Sequence, residues 1–309
     1  MGMKDSLWHK FLINNERYAD MINAFGLEGA QIITASDIME ADSKAGTKIR
    51  DEVRRVAFGV NFAIIGIESQ ESIDYSLAVR IMNYDAVKYD EICRHIRDKN
   101  MKTRAWKQKL PWNRNRGEYL YHFGREDRIP PVVTFVIYCG KEPWDGALGI
   151  RELIDTTDIP KELLKYVPDY KINVIDIRRE SDKLSALTTD VKGVLEFIAL
   201  SDDKERLREL TANNEYYKHM SEEAFELTEE YAHIEGMQCK PNEKGEYDMC
   251  QAIEDMRNDS KNEGIAIGKI EGKILAYFDT GMPIDNIASK TQLTVDFVKD
   301  TLKANGVLK

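Results

Sequence analysis

The sequence predicts an α/β core followed by an all-helical C-terminal region. Strand-like stretches recur at 51–58, of mixed polarity, and at 62–68, 132–138 and 172–177, apolar or β-branched, with helical spacing between them. After about residue 180 no such run appears, and the remaining segments space their apolar residues as helices do. A polar stretch, Pro241-Asn242-Glu243-Lys244-Gly245, interrupts that helical part. The expected division is therefore 1–180 and 181–309.

In order, Leu7, Phe11, Tyr18, Ile22 and Phe25 predict one helix over 4–25, punctuated by Gly26 and Gly29. Residues 30–48 read as connector. Asp51–Phe58 reads as a strand of mixed polarity, Gly59-Val60-Asn61 as a turn, and Phe62–Glu68 as a strand buried on both faces. The two strands form a hairpin in this reading. Ile73, Leu77, Ile81, Tyr84, Val87, Ile92 and Ile96 predict a helix over 73–97, with a loop or irregular lid over 98–128. Val132–Tyr138 and Ile172–Ile177 are strands. Helices are expected at 183–200, 202–218, 221–234 and from 248 onward, with a helix-turn-helix outline at 283–305. Gly264, Gly268 and Gly272 recur every four residues and read as a flat helix face, for close packing or for a homo-oligomer contact through the C-terminal helices.

The net charge of −10 argues against a protein that coats nucleic acid non-specifically. Charge is unevenly spread, however. Residues 94–128 carry eleven Lys/Arg against four acids, a local charge of +7 that leaves −17 for the rest. Trp106 and Trp112 interleave with Arg104, Lys107, Lys109, Arg114 and Arg116, a mixture suited to stacking on bases while neutralising phosphate. No apolar run is long enough to span a bilayer, and MGMKDSLWHKFL has no signal-peptide core, so no membrane partner is expected. Cys93, Cys139, Cys239 and Cys250 form no CxxC pair, which predicts reduced thiols and a cytoplasmic protein. The histidines have no metal-ligand spacing, and GxSxG, HExxH and phosphate-cradling glycine loops are absent.

The chemistry gathers at the end of the second strand, in Glu68-Ser69-Gln70. Residues two apart in a strand point the same way, so Glu68 and Gln70 share a side. A carboxylate leaving a buried strand needs a partner. If 51–58 and 62–68 run antiparallel, Asp51 and Glu68 meet at one end of the hairpin. Two adjacent carboxylates repel unless a cation shares them, and oxygen ligands suit Mg²⁺, which also takes phosphate oxygens. On the following helix, Arg80 and Tyr84 lie on one face, and Arg80 reads equally as a phosphate or site-carboxylate contact and as an ordinary helix ion pair. Asp85 reads as structural.

Asp51…Glu68-Ser69-Gln70 resembles the signature of the PD-(D/E)XK nuclease superfamily, in which an Asp begins one strand and an acid-x-Lys triplet ends the next. RYADMINAF (17–25), KIRDEVRRV (48–56), FAIIGIESQESIDYSLAVRIMNYDAVKY (62–89) and PIDNIASKTQLT (283–294) resemble more closely its transposases, the Rpn-type recombination-promoting nucleases. The resemblance implies a restriction-endonuclease-like core, a central mixed sheet flanked by helices. It implies Asp51 and Glu68 as ligands of Mg²⁺ or Mn²⁺, DNA as substrate, and a link to recombination or mobile elements. Asp20 matches a further acid of related nucleases. Gln70 stands where the superfamily has Lys; it brings no positive charge but can hydrogen-bond a water. The competing expectation is a catalytically weak protein on the same fold that binds DNA or a protein partner.

Overall fold

In a computed structural model of the chain, residues 3–40, 52–58, 61–103, 116–232 and 239–308 are described. The protein is mixed α/β and mostly helical. It divides into two units, Met1–Glu235 with Pro241–Tyr247, and Gly236–Lys240 with Asp248–Lys309.

The first unit opens with α1 (Met3–Leu12) and α2 (Asn15–Gly26), where spacing alone predicts a single helix. Asn14 makes the break: its side-chain oxygen accepts from the amides of Glu16 (2.8 Å) and Arg17 (3.4 Å), an N-cap that restarts the helix. A 3-10 turn at Ala35–Asp37 leads into β1 (Ile38–Glu40), a three-residue strand inside the expected connector. β2 (Glu52–Phe58) and β3 (Asn61–Gln70) form the expected antiparallel hairpin, in register from Phe58–Asn61 to Glu52–Ile67. β4 (Val132–Tyr138) pairs parallel with β3, and β5 (Asn173–Asp176) parallel with β4, so the mixed sheet has the order β1-β2-β3-β4-β5.

Helices cover both faces. α3 (Leu77–Lys102) packs Leu77, Ala78 and Ile81 onto Val136 and Ile172. On the other face α2 comes so close that a Cβ on Gly26 would lie 2.9 Å from the Phe135 ring. The expected loop over 98–128 contains the end of α3 and a short helix, α4 (Arg116–Tyr121). α5 (Lys161–Leu164) lies in the β4–β5 connection.

After β5 come α6 (Ser181–Ser185), α7 (Val191–Leu200), α8 (Lys204–Asn213) and α9 (Glu222–Ala232). They belong to the first unit, so its boundary falls well beyond residue 180. The reason is burial: α9 packs on α1 and α7, and Trp8 donates through Nε1 to the Tyr231 hydroxyl at 3.0 Å.

The second unit contains α10 (Met249–Asp279), α11 (Ile284–Thr291) and α12 (Val295–Ala304). Ile274, Ile287, Ala288, Val298 and Leu302 form its core. Gln292 takes the left-handed conformation (φ 60°) that ends α11, and Thr294 caps α12 by accepting from the Phe297 amide at 3.3 Å. A Cβ placed on Gly268 or Gly272 meets nothing within 4 Å, so neither glycine serves the close helix packing expected of it among the described residues.

Candidate active site

Glu68, Ser69 and Gln70 are the last three residues of β3, paired in register with Val136, Ile137 and Tyr138. Val136 is fully buried under α3 and Ile67 on the opposite side is buried too, so β3 leaves the core only at its end. The backbone there is fixed by the Cys139 amide, which donates to the Gln70 carbonyl at 2.7 Å. The half-buried Gln70 carboxamide donates through Nε2 to the Ser69 carbonyl at 2.8 Å. Asp51 and the Glu68 side chain lie outside the described residues.

The chain then turns into α3 through Asp74. Asp74 Oδ1 accepts from the Ser76 amide (2.9 Å) and hydroxyl (2.7 Å), and Oδ2 pairs with Arg80 at 2.8 Å. Partial burial opposes ionisation of Asp74, but the Ser76 donors and the Arg80 charge together hold its carboxyl below the usual range. Arg80 thus pairs with a carboxylate that precedes α3 rather than with one on the helix itself. Tyr84 packs against the α3 core, and Asp85, 2% exposed, accepts from the hydroxyls of Thr134 (2.8 Å) and Tyr170.

Asp20, expected as a further acid of the site, lies 3% exposed against the turn that starts α7. It accepts from four donors at 2.7–3.0 Å, the amides and hydroxyls of Thr188 and Thr189, the Thr188 amide being shared between both carboxylate oxygens. A carboxylate has about four lone-pair positions, so this set fills it. One turn earlier, Arg17 binds Asp190 through Nε and Nη2 and the Phe11 carbonyl through Nη1.

Of the basic stretch, Arg104, Trp106, Lys107, Lys109, Trp112 and Arg114 fall outside the described residues, as does the side chain of Arg116 at the start of α4. Its flanks are tied together: Asn100 Nδ2 donates to the His122 carbonyl (2.9 Å) and to Asp127 (2.8 Å).

A cavity of about 560 Å³ begins where β3 ends. Glu71 and Ser72 form one side and Tyr138, Cys139 and Gly140 the other, with Lys4 and Tyr231 closing it from α1 and α9. Lys4 pairs with Glu71 at 2.5 Å and lies over the Tyr231 ring. Burial pushes the Cys139 thiol up to about 12, so it is an inert wall rather than a nucleophile. Sequence reading missed this cavity because its walls are distant in the chain; Lys4 and Glu71 are 67 residues apart.

Among the described residues no group of three or more His, Cys, Asp or Glu is arranged to hold a metal ion, and no helix is long and apolar enough to cross a membrane. A family model described as "Putative transposase, YhgA-like" matches residues 58–224. No curated protein and no solved structure matches the chain.

Proposed function

The chain belongs to the YhgA-like transposase family, and on that premise we propose that it is a metal-dependent DNA endonuclease serving recombination or mobile-element movement. One observation carries the reading. The β2–β3 register runs to Glu52–Ile67, and the next residues along the sequence are Asp51 before β2 and Glu68 within β3. The sheet, with α2 and α3 on opposite faces, supports a restriction-endonuclease-like core.

The donor set fits the metal: two carboxylates are hard oxygen ligands, suited to Mg²⁺ or Mn²⁺. A bound ion would supply charge to the phosphate oxygens and lower the pKa of a bound water. Asp51 and Glu68 would hold it. Gln70, its carboxamide steadied on the Ser69 carbonyl, orients the attacking water through its oxygen. Arg104, Lys107, Lys109, Arg114 and Arg116 neutralise the DNA backbone, with Trp106 and Trp112 stacking on exposed bases. Arg80 reaches phosphate by exchanging Asp74 for it. Asp20 serves the start of α7 rather than the metal. The α10–α12 unit is the candidate for self-association.

The test is supercoiled-plasmid cleavage with Mg²⁺, Mn²⁺, Ca²⁺ or EDTA, comparing wild type with Glu68→Ala. Nicking or linearisation with Mg²⁺ or Mn²⁺ is expected, abolished by EDTA and by the substitution. Equal products from both proteins, or none from either, would remove the nuclease reading. One observation favours the alternative of a DNA-binding protein with a weakened site, namely Gln70 in place of a lysine. It predicts metal-independent DNA affinity without product.

A further inference from the structure

We propose that the cavity at the C-terminal ends of β3 and β4 receives one unpaired nucleotide of the DNA strand. The inference rests on the reading of the chain as a DNA-acting protein and names the form of DNA it prefers.

Position is the first argument. The cavity starts at Glu71, three residues after Glu68, or about 10 Å along an extended strand. A strand lying across the end of β3 therefore passes its mouth. Its volume of about 560 Å³ suits a small organic group.

Chemistry is the second. The Tyr75 ring is 60% exposed at the mouth, with its hydroxyl bonded to Asp145. Tyr138 forms the floor, 1% exposed, its hydroxyl donating to the Glu142 carbonyl at 2.9 Å and its ring braced edge-on against Trp144. The exposed Tyr75 face can stack on any base, while buried Tyr138 only walls the cavity. A paired base stays within the duplex stack and does not reach it. Arg178 keeps the cavity preformed by binding the carbonyls of Cys139 (3.0 Å) and Ala199 (2.8 Å).

Charge is the third. Three cations, Lys4, Lys141 and Arg178, are matched by Glu71, Glu142 and Asp202. A groove that follows a polyanion is predominantly basic; this one is balanced, as befits a single inserted nucleotide. Lys141 pairs with Asp202 at 2.5 Å, but its side chain is 66% exposed. An exposed ion pair of this sort adds little stability, so Lys141 can exchange Asp202 for a phosphate. The carboxylates remain as acceptors for an exocyclic amine of the base.

The test uses the full chain in EDTA with two duplexes, one fully paired and one carrying a single unpaired 2-aminopurine. Wild type is expected to bind the second about tenfold more tightly and to quench its fluorescence. Tyr75→Ala should lose most of the preference and the quenching, Tyr75→Phe should keep both, and Lys141→Ala should weaken binding severalfold. Glu68→Ala should keep the preference while losing plasmid cleavage. Equal affinity for the two duplexes, or full preference in Tyr75→Ala, would overturn the proposal. So would deoxyadenosine monophosphate that saturates the protein without displacing the unpaired duplex. Cleavage without preference removes the cavity proposal alone, and preference without cleavage removes the nuclease reading alone.

Discussion

Each face of the sheet is closed by a buried carboxylate, and the two are used differently. On the α2 face, Asp20 takes two backbone amides and two hydroxyls from the Thr188–Thr189 turn. On the α3 face, Asp85 takes the side-chain hydroxyls of Thr134 and Tyr170. An amide cannot be removed by substitution, whereas a hydroxyl can. Asp20 therefore fixes where the backbone must turn into α7, while Asp85 joins side chains whose polarity is replaceable. In the sequence the two read differently: Asp85 as structural, and Asp20, by resemblance, as a further acid of the site.

The sharpest way to break the comparison is Asp20→Asn. Its amide nitrogen would face donors already present, and unfolding in urea should show a loss of about 3 kcal/mol. Asp85→Ala should cost about 2 kcal/mol by leaving buried hydroxyls without their acceptor. Adding Thr134→Val and Tyr170→Phe to Asp85→Ala should recover part of that loss, because removing both sides of a buried hydrogen bond is nearer to neutral. An equal recovery on the Asp20 side after Thr188→Val and Thr189→Val would erase the distinction, since the two amides would still lack their acceptor. Arg17→Lys should cost about 1–2 kcal/mol, because an ammonium cannot keep the forked contact with Asp190 and the bond to the Phe11 carbonyl together.

The smallest effect concerns Asp74, at the mouth of the site rather than in the core. Its folded pKa lies below the ordinary 3.8, so the carboxylate contributes stability that is fully present above that value. The contribution is lost as pH falls through the folded pKa. Urea midpoints of wild type and Asp74→Asn should differ at neutral pH and converge once the pH has fallen well below 3.8. A gap that persists in acid would mean that Asp74 acts by packing alone.

Much of the frame was legible. Val132–Tyr138 is a strand with the predicted bounds, and the β2–β3 hairpin is present, because alternating or continuous apolar runs and a short turn are local properties. β1 escaped notice because three residues carry too little pattern. The expected helix over 183–200 is two helices, α6 and α7, separated where Thr188 and Thr189 turn toward Asp20. At the candidate site, the sequence located Glu68-Ser69-Gln70 at a strand end, but it held no sign that Asp20 meets Thr188 and Thr189.

By itself, then, the sequence determined the α/β start, the helical continuation, the order of the strands along the chain and the carboxylate–carboxamide pair that closes β3. These follow from periodicity and turn chemistry over a few residues. Only the tertiary structure decided that β3 pairs in parallel with β4, that α9 returns to α1, and that Lys4 faces Glu71 across a cavity. It alone showed that RYAD reaches a turn about 170 residues downstream, Arg17 to Asp190 and Asp20 to Thr188. The physical reason is that local pattern fixes which face a side chain presents, while its partner is whatever the closed chain brings to that face.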